Sequence, residues 1–193
     1  YLNSTYHLLY CGVMIETSRL ILRPFELSDH ADMYEYQSNP DVVKYIPWPV
    51  RTPELVQEAL EKGMKDTKLE KQGDWVLLSI VLKDTKKVIG QLNISLVSEK
   101  NKHAEFGYVL NPAFSGNGYI TEACKAFLTW AFNNHDLHRI SAVMDQRNPK
   151  SRAVCERLGL RLEATHIEDD FFKGESTSTW IFAILKREWQ ALS

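Results

Sequence analysis

The apolar and polar positions divide this chain into an early part whose strands are joined by turns and a later part whose strands are joined by helices. Arg19 to Phe25 alternates at the period of a strand. Ser28 then caps a helix to about Gln37, broken at Asn39-Pro40. The stretch VVKYIPWPVR holds two prolines around Trp48, which suits an aromatic loop and neither a helix nor a central strand. Thr52-Pro53-Glu54 opens a second helix, with Leu55, Val56, Ala59, Leu60 and Met64 on one face. Trp75–Leu82 and Val88–Val97 form a hairpin around KDTKK, and His103–Leu110 adds a third alternating strand. A helix from about Gly118 to Asn134, a strand His138–Asp145, and a helix from Asn148-Pro149 to Gly159 follow. Strands near Arg161–Ile167 and Thr177–Leu185 close the chain. The expected fold is α/β: a single domain with a mixed, mostly antiparallel central sheet flanked by helices.

The change of period at residues 111–123 carries the first chemical signal. Ahead of it KHAEFGYVL alternates; behind it Ile120, Ala123, Cys124, Phe127, Leu128 and Ala131 recur at helical spacing. Between them lies NPAFSGNGYITEA, with Gly116 and Gly118 at the turn. A turn free of bulky side chains at a helix start presents unpaired N–H groups and about half an elementary charge of positive dipole, which suits a pyrophosphate. The three-glycine dinucleotide fingerprint and the P-loop lysine are both absent, so the glycine pair alone is equally an ordinary turn.

A second segment, DQRNPKSRAVCERLGL at 145–160, follows the next strand. Asn148 caps a helix, Pro149 takes its first position, and Gly159 supplies the left-handed stop. Ser151, Val154, Cys155 and Leu158 share a face; a polar serine in the first turn of an inward face has no packing explanation.

Composition narrows the classes. With 193 residues and 44% hydrophobic content the chain is long enough for a real core. A formal charge of -2 lacks the basic footprint of nucleic-acid binding, and no apolar run approaches a membrane span of roughly 20 residues. Cys11, Cys124 and Cys155 have neither metal-ligand nor paired spacing, and the latter two read as buried hydrophobes, which fits a reducing cytoplasm. His103, His135 and His138 are not spaced as metal ligands, so no metal is expected. Residues 1–13 lack signal-peptide character, and Met14 opens IETSRLILRPF; the expected division is an extension at 1–13 and a folded domain at 14–193.

Taken together, AEFGYVLNPAFSGNGYITEA and HRISAVMDQRNPKSRAVCERLGL resemble the GNAT acetyltransferases, most closely the RimJ/RimL-like ribosomal-protein N-terminal acetyltransferases. The resemblance covers roughly residues 14–190 and includes TSRLILRPF and SNPDVVKYIPWP. It implies acetyl-CoA as cosubstrate. Tyr108, Val109 and Leu110 would bond the pantetheine amides edge-on. The turn from Ser115 through Gly116, Asn117, Gly118, Tyr119 and Ile120 into Thr121 would cradle the pyrophosphate. Asn148 would contact the pantetheine arm and Ser151 would lie near the thiol. The family usually carries Gln or Arg at the place of Ser115 and Gly or Ala at that of Ile120; the isoleucine would put a bulky group beside the phosphates.

Acetyl transfer to an amine requires a neutral nucleophile, a donor to the carbonyl oxygen and a proton for the leaving thiolate. A backbone N–H near Val109 suits the second need. Glu105, on the strand face opposite Ala104, Phe106, Tyr108 and Leu110, is the candidate base, or else a solvated strand carboxylate. Ser151 is the candidate acid, or else a first-turn serine satisfying backbone. Tyr108 reads as packing. Asp169-Asp170-Phe171-Phe172 reads as a loop, either a solvated turn or an acceptor wall. The Trp48 loop suits an acceptor wall or a homodimer contact. The leading reading is transfer to a primary amine by direct attack, the acceptor being a ribosomal or other protein N-terminus. A small-molecule amine acetyltransferase and a non-catalytic acyl-CoA-binding module are the alternatives; a nucleotide-binding protein of another fold lacks its signature.

Overall fold

A computed structural model describes residues 13–192. Its centre is one eight-stranded sheet in the order β1-β2-β3-β4-β5-β6-β8-β7. The strands are β1 (Ile15–Glu16), β2 (Leu20–Pro24), β3 (Trp75–Leu82), β4 (Val88–Ser98), β5 (His103–Leu110), β6 (Arg139–Asp145), β7 (Arg161–Phe172) and β8 (Glu175–Leu185). Neighbours are antiparallel except β5 and β6, which are parallel and joined by the 16-residue helix α4 (Tyr119–Asn134). A parallel neighbour needs such a crossover; antiparallel ones need only a turn. The remaining helices are α1 (His30–Gln37), α2 (Pro40–Val43), α3 (Pro53–Gly63), α5 (Pro149–Arg157) and α6 (Lys186–Ala191).

Helix α4 is apolar on the face that the periodicity indicated. Ala123, Cys124, Phe127, Leu128 and Ala131 are fully buried against Ala104 and Phe106 of β5 and Ile140 and Phe182 of the strands beyond. Helices α1 and α3 cover the other face through a second cluster of Met33, Tyr36, Val56 and Leu60, to which β5 contributes Val109. The alternation within β5 therefore sends Ala104, Phe106 and Tyr108 toward α4, and Glu105, Gly107 and Val109 toward the α1–α3 side. A buried carboxylate locks β2 to the start of α1. Asp29, 2% exposed, accepts from both terminal nitrogens of Arg23 (2.7 and 2.9 Å), from the Ser79 hydroxyl (2.7 Å) and from the Glu26 N–H (3.0 Å).

Several expectations need correction. The first helix begins at His30 after a 3₁₀ turn at Leu27–Asp29, so Ser28 lies inside that turn rather than capping the helix. The aromatic stretch begins with a short helix, α2, capped by Asn39, whose side chain accepts the Asp41 N–H at 2.9 Å. Residues Asp169–Phe172 are not a loop. They belong to β7, which extends to Phe172 and pairs with β8 across two register shifts. Val13, assigned by sequence to the extension, packs against the main core; residues 1–12, with Cys11, lie outside the described residues. Among the described residues no helix is long and apolar enough to cross a membrane.

Phe127 is fully buried and stacks on Trp130 with ring centroids 5.6 Å apart. Truncation to alanine should cost about 3–5 kcal/mol, the lost transfer energy plus the cavity. Urea unfolding checks this: the midpoint should fall while the slope is unchanged.

Candidate active site

The site begins where the sheet comes apart. Strand β5 pairs with β4 along its length, from His103↔Ser98 to Leu110↔Gly90. Strand β6 pairs with β8 along its length, from Arg139↔Leu185 to Asp145↔Thr179. Between β5 and β6, however, only three positions are in register: His103↔Arg139, Ala104↔Ile140 and Glu105↔Ser141. Beyond Glu105 the two strands diverge. The N–H and C=O groups of residues 106–110 that point away from β4 therefore have no strand beside them. Unpaired main-chain groups in a sheet interior need another partner, and an extended chain carrying amides would supply it.

At the wide end of this gap lies the turn into α4. Gly116 and Gly118 take φ of +83° and +77°, the left-handed region that side chains with a Cβ seldom adopt. A Cβ built at Gly116 would meet no atom within 4 Å, so the space beside the turn is open. Helix α4 closes its first intrahelical bond from the Glu122 N–H to the Gly118 carbonyl at 3.1 Å. Among the described residues the N–H groups of Gly116 through Thr121 have no backbone acceptor, the donor set that favours an anion. The Ser115 amide is not one of them. It donates to the Pro112 carbonyl at 3.1 Å, which corrects the expectation that Ser115 offers its backbone to a phosphate. Ile120 also departs from expectation. Its side chain is 9% exposed and belongs to the main core, so it does not crowd the open side of the turn.

The turn is held by contacts the sequence did not reveal. The Glu122 carboxylate, in the first turn of α4, accepts from the Thr17 hydroxyl (2.6 Å), the Ser18 hydroxyl (3.1 Å), and the N–H and Nε of Arg19 (3.1 and 2.7 Å). Arg19 also donates to the Asn117 carbonyl at 3.0 Å and lies over the Tyr119 ring at 4.4 Å. Burial pushes the Glu122 carboxyl up, but the hydrogen bonds from Thr17 and Arg19 outweigh it and leave the group below its ordinary value. The carboxylate is thus ionised and neutralised in place, where a bare acidic charge would oppose an anion.

Across the gap the candidate catalytic groups fall on its two sides. Asn148 caps α5 by accepting the Ser151 N–H at 3.1 Å, which fixes Ser151 in the first turn. The Tyr108 hydroxyl lies 2.9 Å from the Ser151 Oγ and donates to the Ser151 carbonyl at 3.3 Å. Tyr108, read from sequence as packing, does pack beside Phe106, but its hydroxyl is part of this polar pair. Burial pushes its phenol well above the ordinary range, despite the Ser151 hydrogen bond. The pair is therefore protonated and able to donate. Glu105 stands on the other face, between Ser95 of β4 and Ser141 of β6, with no hydrogen-bond partner among the described residues. Desolvation raises its pKa. An unpartnered, half-buried carboxylate with a raised pKa is a candidate general base.

On the Glu105 side a cleft of about 150 Å³ runs between α2's loop and the ends of β6, β7 and β8. Tyr45 and Pro47 form one wall; Asp145, Asp170, Phe172 and Thr177 form the other. Arg147 engages Asp145, while Asp170 has no partner among the described residues. Asp169 is satisfied structurally by the Thr179 hydroxyl at 2.7 Å. Lys173, at the β7–β8 tip, donates to the Val43 carbonyl and bridges the cleft at one end. Trp48 packs partly against the α1–α3 core with Arg51 4.0 Å above its ring, so Tyr45 and Pro47, not Trp48, face the cleft.

Cys124 and Cys155 are buried, and burial pushes their thiols up, Cys155 to about 12. Neither is presented as a nucleophile. Among the described residues no three His, Cys, Asp or Glu side chains are grouped to hold a metal.

A diverged parallel strand pair beside a glycine-built turn offers unpaired main-chain groups to an extended, amide-bearing anionic ligand. The acetyltransferase (GNAT) domain model matches residues 19–161, and the chain belongs to that family. It is similar to YnaD, an uncharacterized N-acetyltransferase of Bacillus subtilis, with 33% identity over 91% of this chain and 98% of YnaD. It is also similar to a GNAT-family acetyltransferase from Bacillus anthracis of known crystal structure, with 30% identity, a TM-score of 0.82, and 91% and 100% of the two chains covered. The fold is shared with RimL, a ribosomal L7/L12 alpha-N-protein acetyltransferase solved with coenzyme A, with a TM-score of 0.78 at 21% identity over 90% of this chain and 98% of that one. The protein is an N-acetyltransferase that uses acetyl-CoA.

Replacing Gly118 with valine should weaken coenzyme A binding at least about tenfold, because a β-branched residue resists a positive φ. The protein offers a Cβ at Gly118 only an ordinary contact, the Arg19 guanidinium at 3.6 Å, so the effect should be conformational. Calorimetric titration checks this, with Ser115→Ala expected to bind normally.

Proposed function

We propose that the protein acetylates the N-terminal amine of a protein or peptide by direct attack, with Glu105 as base and the Ser151–Tyr108 pair as acid. The observation that carries this reading is the divergence of β5 from β6, with the carboxylate on one face of the gap and the hydroxyl pair on the other. Tyr108 and Leu110 would hold the pantetheine arm edge-on along the free side of β5, with the Asn148 amide near it; Val109, expected from sequence to join them, instead turns its main-chain groups to β4, where its carbonyl lies against Gly90. Gly116 through Thr121 would hold the pyrophosphate by backbone.

The chemistry then follows from position. Glu105, directly or through water, takes the proton the amine must lose. The nitrogen lone pair forms the N–C bond as the C–S bond breaks, and the electron pair leaves on sulfur. Ser151, backed by the Tyr108 hydroxyl, gives the sulfur its proton. The N–H of Tyr108 or Leu110, on the free edge beside Val109, would face the carbonyl oxygen. Cys124 and Cys155 are buried and protonated, so neither is presented to carry the acetyl group, and the attack is direct.

For the acceptor, two features support an N-terminal amine. An α-amino group has an ordinary pKa near 7.7–8, so one modestly basic carboxylate suffices to deprotonate it. A cleft of about 150 Å³ suits the first residue of a chain better than a drug-sized molecule, whose sites run to about 300 Å³ and more. Mass spectrometry of peptide and small-amine pools after reaction with acetyl-CoA tests the assignment: acetylated peptide N-termini support it, and exclusive modification of small amines favours the alternative acceptor.

Glu105→Gln should lower kcat/KM by about 10²–10⁴-fold, the usual worth of a positioned base. The raised pKa sets the pH dependence. As a base Glu105 must be ionised, so wild-type kcat/KM should fall as pH drops through a value above the ordinary 4.5, and the glutamine variant should lose that limb. The mutational loss should shrink at high pH, where the amine is already neutral. Because the fold disfavours the charged form, wild-type stability from this group is present at low pH and lost as pH rises through the raised value, so Glu105→Gln should not destabilise the protein at pH 7. Ser151→Ala should lower kcat with coenzyme A affinity nearly kept, since protonating the thiolate matters only in the transition state. Full activity in both variants would leave water and proximity as the only catalysts.

A further inference from the structure

One cation beside the anion turn is left over by the structure as described. Arg19 is matched by the Glu122 carboxylate at 2.7 Å, and Arg152 by Glu156 at 2.7 Å. Arg157, in the last turn of α5, has no carboxylate within 4 Å among the described residues. Its Nε donates to the Thr121 Oγ1 at 3.2 Å, a contact spanning 36 positions of sequence. Thr121 is the third residue of α4, in the turn whose N–H groups are unclaimed. One nitrogen thus anchors the guanidinium to the rim of the anion turn, while its two terminal nitrogens, with four N–H donors, remain for a ligand. As a helix-end residue Arg157 would also complement the dipole of α5, but that role needs neither the reach to α4 nor the fixed Nε.

We infer that Arg157 grips a phosphate group of the coenzyme A moiety, and that it makes the enzyme select phosphorylated acyl carriers over bare pantetheine thioesters. This rests on the acetyl-CoA reading above and adds a side chain to a site otherwise built from backbone. The edge formed by the two terminal nitrogens of the planar guanidinium, left free by the Nε anchor, matches two phosphate oxygens, as an ammonium point charge does not. The neutralised Arg19–Glu122 pair shapes the turn, so the net positive charge offered to the ligand comes from Arg157 and the helix dipole. The same chemistry is carried by the pyrophosphate and by the 3′-phosphate, both within the class assigned.

The test is calorimetric titration of wild type, Arg157→Gln and Arg157→Lys with coenzyme A, 3′-dephospho-coenzyme A and pantetheine, with kcat/KM measured on acetyl-CoA and acetyl-pantetheine. Arg157→Gln should weaken coenzyme A about tenfold or more and leave pantetheine and acetyl-pantetheine unchanged; Arg157→Lys should recover part of the loss. A penalty that vanishes with 3′-dephospho-coenzyme A assigns the 3′-phosphate, and one that persists assigns the pyrophosphate. Wild-type affinity for coenzyme A in Arg157→Gln would overturn the inference alone, as would an equal loss on the phosphate-free ligands. Failure of the wild type to bind coenzyme A would overturn the cosubstrate reading with it. Thermal denaturation separates a folding defect from a binding one, because a misfolded variant loses activity on both thioesters.

Discussion

Everything in the site depends on two adjacent parallel strands that stop pairing. β5 and β6 share three registered positions and then part, although each remains fully paired on its other side. The sheet is thereby two rigid pieces with a gap between them. A gap in the middle of a sheet is costly unless something answers its main-chain groups. In the proposed mode of binding the cosubstrate meets that need: the edge groups of β5 would take its amide-bearing arm, and the wedge would admit the acceptor. The crossover helix α4 both forces the parallel relation and plants its N-terminus at the open end.

The second constraint is electrostatic. An anion turn with an acidic residue in its first helical turn would work against itself, yet Glu122 stands there. Its oxygens are occupied by Thr17, Ser18 and Arg19, and the arginine is held in turn by the Asn117 carbonyl and the Tyr119 ring. The segment before β2 therefore serves as a brace for the turn. Holding a backbone cradle in one shape matters because its donors act only at hydrogen-bond distance.

The two faces of β5 divide the labour. Toward α4, Tyr108 and Ser151 form a half-buried hydroxyl pair, and desolvation keeps the phenol protonated. Toward α1 and α3, Glu105 is desolvated without a partner, which raises its proton affinity. In the proposed mechanism these groups, with proton affinities set apart by their surroundings, would serve as base and acid on opposite sides of the gap.

The sequence by itself determined the elements with strong local signals. β3 and β5 were legible to the residue, and the glycines at 116 and 118, the Asn148 cap and the apolar stripe of α4 came from periodicity and turn chemistry. The two-residue β1 and the short α2 and α6 were not legible, because segments that brief are held by tertiary pairing and packing rather than by propensity. The acidic stretch at 169–172 read as a turn, yet it is strand, because pairing with β8 across two bulges outweighs its composition. Only the tertiary structure decided which side chains meet. Arg157 reaches Thr121 and Arg19 reaches Glu122 over separations of 36 and 103 residues, and no local pattern encodes such contacts. Ile120 shows the same limit in one residue: its position in the motif suggested a clash with phosphate, but the helix phase set by the core turns it inward.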